Sequence, residues 1–336
     1  MATIGIIGSG SWGTALSLIL LRNNQDVVLY GRNPERIEEI RKTRYNLKYL
    51  PGIRLPDQLH LTDNLEEAVR NKDLIILAVP SHVYRQTAQE VAAALPGSET
   101  ATLLSVTKGI ENETLMRMEE ITAEVFKDRT YHFGCLSGPS HAEEVARNIP
   151  TAIVVASRNE QVARSIQKLF MSPSFRVYSH HDVTGVELGG ALKNVIALAA
   201  GICDGVGFGD NTKAALMTRG LAEITRLGVA MGAEAMTFAG LSGMGDLIVT
   251  CMSRYSRNRY VGEQIGQGKS LHLVLNQMVM VAEGVRTTRS AYALAQRYGI
   301  EMPITEKVYR VLFEKESPRE AVSALMTREA KEEKWG

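Results

Sequence analysis

A glycine-rich turn near the start of the chain constrains the fold more than any other stretch. Gly8-Ser9-Gly10-Ser11-Trp12-Gly13 follows a short apolar run over residues 2–7 and opens a segment with Leu16, Ile19 and Leu20 on one helical face. In a strand–turn–helix setting, this spacing gives each glycine a task. Gly8 permits the tight turn, Gly10 lets a pyrophosphate approach the backbone, and Gly13 lets the helix pack closely on the strand. The helix N-terminus then offers unpaired N–H groups and the positive end of its dipole to phosphate. The competing reading is a ligand-free cluster of turn glycines.

Further apolar runs at 27–30, 73–79, 102–106, 131–136 and 152–156 read as strands. Helical patterns at 12–23, 63–71, 83–95 and 112–126 lie between them. Strands alternating with helices predict an α/β fold, a Rossmann-like doubly wound, mostly parallel sheet. The pattern changes near residue 180. Helical periodicity then covers 184–203, 210–232, 257–267, 271–278, 284–298, 303–313 and 317–326, which predicts an all-α C-terminal domain. With 336 residues the chain exceeds the roughly 250–300 that one core supports. The expected division is a nucleotide-binding domain over 1–180 and a helical substrate-binding domain over 181–330. The final Lys331–Gly336 reads as a frayed end.

Charge and cysteine usage narrow the function classes. A net charge of +1 excludes a whole-surface attraction to nucleic acid or to an anionic membrane. No window is expected to reach the roughly 18–20 apolar residues of a membrane span. The cysteines Cys135, Cys203 and Cys251 form neither a zinc spacing nor a disulfide framework, so they read as small buried residues in a reducing compartment, the cytoplasm. There is no HExxH and no His/Cys cluster, so no metal is implied.

The end of the second strand bears on the nucleotide. An NAD-specific site usually carries an acid there to hold the ribose 2′-OH. This chain has Tyr30-Gly31-Arg32-Asn33, and Asp26 lies before the strand. Arg32 suits a 2′-phosphate, so NADPH is expected as cofactor alongside NADH, with a bias to NADPH. The alternative is a plain surface arginine.

Reduction of a ketone needs a hydride donor, a group that stabilises the developing alkoxide, and a proton source. Lys193 is the candidate for the last two, because 187–200 is apolar on nearly all sides and reads as a buried helix. A buried ammonium needs a partner, and desolvation lowers its pKa toward neutrality. A lysine snorkelling at the helix edge is the alternative. Gly189 and Gly190 cost such a helix about 1 kcal/mol each, which suggests close approach of another backbone or a ligand. Asp246 can orient Lys193, bind a substrate hydroxyl, or simply cap a helix; Thr250 shares its helical face. Ser256-Arg257-Asn258-Arg259 offers charged and neutral donors to a phosphate. Lys108 and the Gly138-Pro139-Ser140-His141-Ala142 stretch end strands where α/β ligands sit. His141 is a rival proton donor.

Taken together, these segments resemble the bacterial NAD(P)-dependent glycerol-3-phosphate dehydrogenase family over nearly the whole chain. The stretches that carry the resemblance are Gly8–Gly13, Ser105–Ile110, Leu136–Glu144, Glu187–Asn194, Gly240–Asp246, Ser256–Asn258 and Val281–Thr287. The resemblance implies reduction of dihydroxyacetone phosphate, with Lys193 as proton donor and acceptor. It implies substrate contacts at Lys108, Gly138, Ser140, Asp246, Ser256, Arg257 and Asn258. Beside Gly8, Gly10 and Gly13, it implies cofactor contacts at Ser11, Trp12, Arg32, Lys108, Ala142, Arg257, Val281 and Glu283. It further implies a cytoplasmic homodimer without stable membrane association, feeding glycerophospholipid synthesis. A related reductase of 3-hydroxyacids or hydroxyacyl thioesters has no need of Ser256-Arg257-Asn258. A non-catalytic nicotinamide sensor has no reason to keep Lys108, Lys193 and Asp246 together.

Overall fold

The computed structural model describes residues 1–97, 100–330 and 332–333. Of the terminal stretch expected to fray, Lys331, Lys334, Trp335 and Gly336 lie outside these. The chain divides into two compact units: Met1–Thr107 with Met118–Val183, and Lys108–Arg117 with the chain from Thr184 onward.

In the first unit the strands are β1 (Thr3–Ile7), β2 (Asp26–Tyr30), β3 (Tyr45–Asn46), β4 (Leu50–Arg54), β5 (His60–Thr62), β6 (Leu74–Leu77), β7 (Ala101–Ser105), β8 (Tyr131–Ser137), β9 (Thr151–Ala156) and β10 (Phe175–His180). Eight of them form one sheet in the order β10, β9, β8, β7, β6, β1, β2, β5, while β3 and β4 make a separate antiparallel pair. All neighbours in the large sheet are parallel except β8 and β9. Central parallel strands bury both faces, which is why β6 is a continuous Leu-Ile-Ile-Leu run, fully buried. The chain runs outward from β1 through β2 to β5 and then returns to β6 on β1's other side. The switch point therefore lies between β1 and β6, at whose carboxyl ends ligands of such sheets bind. The helix Ser11–Arg22 buries Leu16, Ile19 and Leu20, as its periodicity predicts.

Departures from the expected elements have local causes. β10 falls where the sequence suggested a domain boundary; it alternates buried Phe175 and Val177 with exposed Arg176 and Tyr178, the pattern of an edge strand covered on one face. β3 and β5, of two and three residues, are too short to register as periodic runs, and Pro51-Gly52 interrupts β4. The helix expected over 112–126 spans Met118–Val125. The preceding residues 108–117, expected inside the first domain, belong to the helical unit: Ile110 joins its core, and Arg117 pairs with Glu187 at 2.7 Å.

The helical unit is built around the helix Val183–Val206, where Leu188, Leu192, Val195, Ile196 and Leu198 are almost wholly buried. Contrary to expectation, this helix is long and apolar enough to cross a membrane, as is the helical run Ala235–Met252. Counting unbroken apolar runs missed this, because Glu187, Lys193 and Asn194 interrupt the first segment without making it polar on average. Its apolar window is entirely buried, so it is a core helix. Against it lies the helix Arg257–Gly266, at backbone contact. A Cβ on Gly201 would come within 1.9 Å of the Arg259 carbonyl oxygen, and one on Gly262 within 2.1 Å of that of Leu198. Gly205 and Gly266 repeat the arrangement one turn on. These contacts set the start of Arg257–Gly266 against the turn that carries Lys193 and Asn194.

Candidate active site

In the first unit, the glycine turn has the shape a dinucleotide needs. Gly8 sits at φ 124°, a region open essentially to glycine, and a Cβ there would lie 2.3 Å from the Ala78 carbonyl oxygen. A Cβ on Gly13 would lie 2.0 Å from that of Gly8. On Gly10 a Cβ would meet nothing within 4 Å. The turn is thus closed at Gly8 and Gly13 and open at Gly10, as close approach of a pyrophosphate requires. Gly10 caps the helix Ser11–Arg22 without a side chain, which leaves its first N–H groups for an anion. The buried indole N–H of Trp12 also has no partner among the described residues. These features fit a dinucleotide.

Asn46, on β3, was not anticipated. Its buried side-chain amide donates to the Ser9 carbonyl at 3.0 Å and to the Thr14 hydroxyl at 2.9 Å, clamping the turn from outside. After β2, Asn33 is occupied as a helix cap, accepting from the Arg36 N–H at 2.7 Å, while Arg32 is exposed. Beyond β8, Gly138 stands at φ 134°, and Ser140 donates to its carbonyl at 2.8 Å. His141 occupies the N-cap of the short helix Ala142–Ala146, which Ala142 opens.

In the helical unit, Asp246 is the hub. It is 1% exposed and begins the helix Asp246–Met252. One carboxylate oxygen accepts from Lys193, and the other accepts from Lys108 at 2.6 Å. Lys193, itself 5% exposed, also donates to the Thr250 hydroxyl at 2.7 Å. The Thr250 hydroxyl in turn donates to the Asp246 main-chain carbonyl at 2.6 Å. Of the three roles open to Asp246, the structure shows the contact that the first requires, the bond to Lys193, and it places Gly245 rather than Asp246 at the N-cap. Lys193 is buried and paired, so it does not snorkel. Gly189 explains how the two segments meet: a Cβ there would lie 2.7 Å from the Ser242 carbonyl oxygen.

The electrostatics follow from burial. Desolvation pushes the Lys193 ammonium down to about 7, and the neighbouring Lys108 charge acts in the same direction against the attraction of Asp246. For Asp246, desolvation alone would raise the carboxyl, but the two ammonium groups outweigh it and hold it below its ordinary value.

Asn258 donates to the Asn194 side-chain oxygen at 2.8 Å and accepts from the Gly284 N–H at 2.9 Å. Arg257 is exposed and donates to the Val281 carbonyl at 3.2 Å. Glu283 opens the helix Glu283–Tyr298. The structure therefore gathers Asn258, Arg257, Val281 and Glu283 at two adjoining helix starts. Ser256 caps its own helix, accepting from the Arg259 N–H at 3.2 Å. Arg259 does not join the set: it is bound to Asp204 at 2.7 Å. Asn194 and the buried Arg117–Glu187 pair were missed. The signal existed, since Glu187 and Asn194 are polar residues on the same apolar helix as Lys193 and need partners for the same reason.

By its strand order and glycine turn the first unit falls in the class of dinucleotide-binding α/β folds, here followed in the chain by a helical unit with a buried lysine–carboxylate site. Family models narrow this. Residues 3–163 match the NAD-dependent glycerol-3-phosphate dehydrogenase N-terminus, and residues 182–323 match the C-terminus of the same family. The chain belongs to the NAD-dependent glycerol-3-phosphate dehydrogenase family. It is 55% identical to a glycerol-3-phosphate dehydrogenase (NAD(P)+) of Salinibacter ruber, over 100% of this chain and 98% of the relative. It is 54% identical to one from Geobacter sulfurreducens, over 99% of each. The crystal structure of glycerol-3-phosphate dehydrogenase from Coxiella burnetii superposes with a TM-score of 0.92 at 36% identity, covering 97% of this chain and 99% of that one.

Proposed function

We propose that this chain catalyses the reversible reduction of dihydroxyacetone phosphate to sn-glycerol 3-phosphate, feeding glycerophospholipid synthesis. The observation that carries the reading is the buried Lys193, held by Asp246 and Thr250 and poised near neutral pH. NAD(P)H, when bound, supplies the hydride for C2. Lys193 stabilises the oxygen that develops negative charge and gives it a proton, combining electrostatic stabilisation with general acid catalysis. In the reverse direction the neutral amine takes that proton back. Thr250 and Asp246 fix the ammonium, and Lys108 fixes the second oxygen of Asp246. Ser256, Arg257 and Asn258 are the proposed phosphate set, so binding energy away from C2 positions the ketone. Gly138 and Ser140 are proposed substrate contacts from the first unit.

For the cofactor, the proposed contacts are Gly8, Gly10, Ser11, Trp12, Gly13, Arg32 and Ala142 in the first unit. In the second they are Lys108, Arg257, Val281 and Glu283. Arg32 supports NADPH as the preferred nucleotide. The convergence of Lys108 and Lys193 on one carboxylate supports an enzyme over a nicotinamide sensor. A cytoplasmic homodimer completes the reading. The test is oxidation of NADPH and of NADH on addition of dihydroxyacetone phosphate. Turnover that falls by at least roughly 10²-fold in Lys193→Ala, with nucleotide binding intact, is the expected result. No turnover with either nucleotide removes the reading.

A further inference from the structure

Residues 108–117 lie between β7 and the helix Met118–Val125, yet they pack with the helical unit. This strap is fastened along its length. Lys108 reaches Asp246 at 2.6 Å. Ser290 donates its one hydroxyl proton to the Asn112 side-chain oxygen at 2.6 Å, with the Ile110 carbonyl a second acceptor 3.3 Å away. Arg117 donates to Glu187 at 2.7 Å, both side chains almost fully buried. Between these points the strap folds on itself: the Glu111 N–H donates to the Met116 carbonyl, and the Leu115 N–H to the Glu111 carbonyl, each at 3.0 Å. Leu115 sits at φ 64°, a strained conformation for a bulky residue that persists only where the surroundings over-determine it. Leu115 packs against the helical core.

A merely connecting loop has no need of a buried ion pair and a strained leucine. We propose that the strap is a positioning device for Lys108, with Arg117 and Glu187 as its anchor, so that Arg117 is a positioning residue for the Lys108–Asp246–Lys193 cluster. Glu187 and Lys193 lie on one helix, Val183–Val206, so the far end of the strap is fixed to the element that carries the reacting lysine. The proposal rests on the reading of Lys193 as the proton carrier.

Displacing the strap has a consequence of definite sign. The groups facing Lys193 are Asp246, Thr250, Lys108 and Cys251. The Cys251 thiol, pushed up to about 12 by burial, stays neutral. When Lys108 moves away, Lys193 loses a like charge and no longer shares Asp246. Its ammonium form is then favoured, and its titration moves to higher pH.

The experiment is NMR titration of the full chain labelled at lysine ε-carbons, following the Lys193 resonance without substrate or nucleotide. Lys108→Met is expected to raise its midpoint by about one pH unit. The pair exchange Arg117→Met/Glu187→Gln, which removes both charges of the pair, is expected to raise it in the same direction. The same exchange made in the Lys108→Met background is expected to add nothing, the non-additivity of groups acting through one another. Asn112→Ala, which removes only a neutral hydrogen bond from the strap, carries the test if the pair exchange fails to fold. Midpoints unchanged in the strap variants, or shifted equally with and without Lys108, overturn the proposal. The titration needs no turnover, so its failure is distinct from a failure of the proposed reaction.

Discussion

Thr250 receives a hydrogen bond from Lys193 at 2.7 Å while its own proton is committed to the Asp246 main-chain carbonyl, so its lone pairs face the ammonium. The hydroxyl therefore favours the charged form of Lys193. Thr250→Val removes that acceptor and leaves Asp246 in place. As a proton donor, Lys193 must be charged, so reduction falls as pH rises through about 7. In Thr250→Val this alkaline limb of kcat/KM moves to lower pH. A limb that stays in place or moves up contradicts the assignment of Thr250.

Gly10 and Gly13 separate binding from folding. Gly10→Ala places its methyl in open space, so stability changes by no more than about 0.5 kcal/mol while nucleotide affinity falls at least about tenfold. Gly13→Ala drives a methyl to 2.0 Å from a main-chain oxygen, so it lowers stability as well. Thermal melts with and without NADPH distinguish the two; equal behaviour of the variants refutes the cradle.

Arg32 is exposed beyond β2, and no acid follows it at the strand end. A charge-assisted hydrogen bond to a 2′-phosphate is worth about 1.5–3 kcal/mol. Arg32→Ala therefore lowers kcat/KM for NADPH by roughly ten- to hundredfold. Values for NADH stay within about twofold. Parallel losses for both nucleotides, or a wild-type preference for NADH, count against Arg32 as the selector.

Glu223 caps a helix from outside: it accepts from the Ile304 N–H at 2.6 Å and the Thr305 N–H at 3.1 Å. Burial raises its carboxyl to about 7 despite these bonds. The folded chain thus keeps a proton that the unfolded chain releases near pH 4–5, so stability falls as pH rises from there to about 7 and is level above. In Glu223→Gln the decline in Tm between about pH 5 and pH 8 is smaller than in the wild type. Equal declines show that Glu223 does not titrate there.

The class of the first unit and the helical character of the second were legible because β1, β6 and the Gly8–Gly13 turn are local patterns. Lys193 was legible for a different reason: a single charge in an apolar helix states its need for a partner. Asp246 is named by the sequence as a partner able to orient Lys193, but only as one of three roles, because Lys108, Lys193 and Asp246 are far apart in sequence and only the tertiary fold brings them together. Asn46 escaped notice since β3 is two residues long and has no period to read. The helix contact through Gly201, Gly205, Gly262 and Gly266 left a trace, a glycine every fourth residue in both segments. That spacing does not name the segment it packs against, which only the tertiary fold supplies.

The core position of Val183–Val206 has a consequence for synthesis. Apart from Ile110 and Leu115, the apolar residues that cover this helix in its core cluster, among them Leu216, Leu221, Ile224, Val261 and Leu294, all lie downstream of it. As the chain leaves the ribosome, a segment apolar enough for a bilayer emerges before its cover exists. Until about a hundred further residues follow, at roughly 5–20 per second, it stays open to aggregation, to chaperones or to a membrane. The stretch that carries Lys193 is thus exposed in the nascent chain until the rest of its unit has been made.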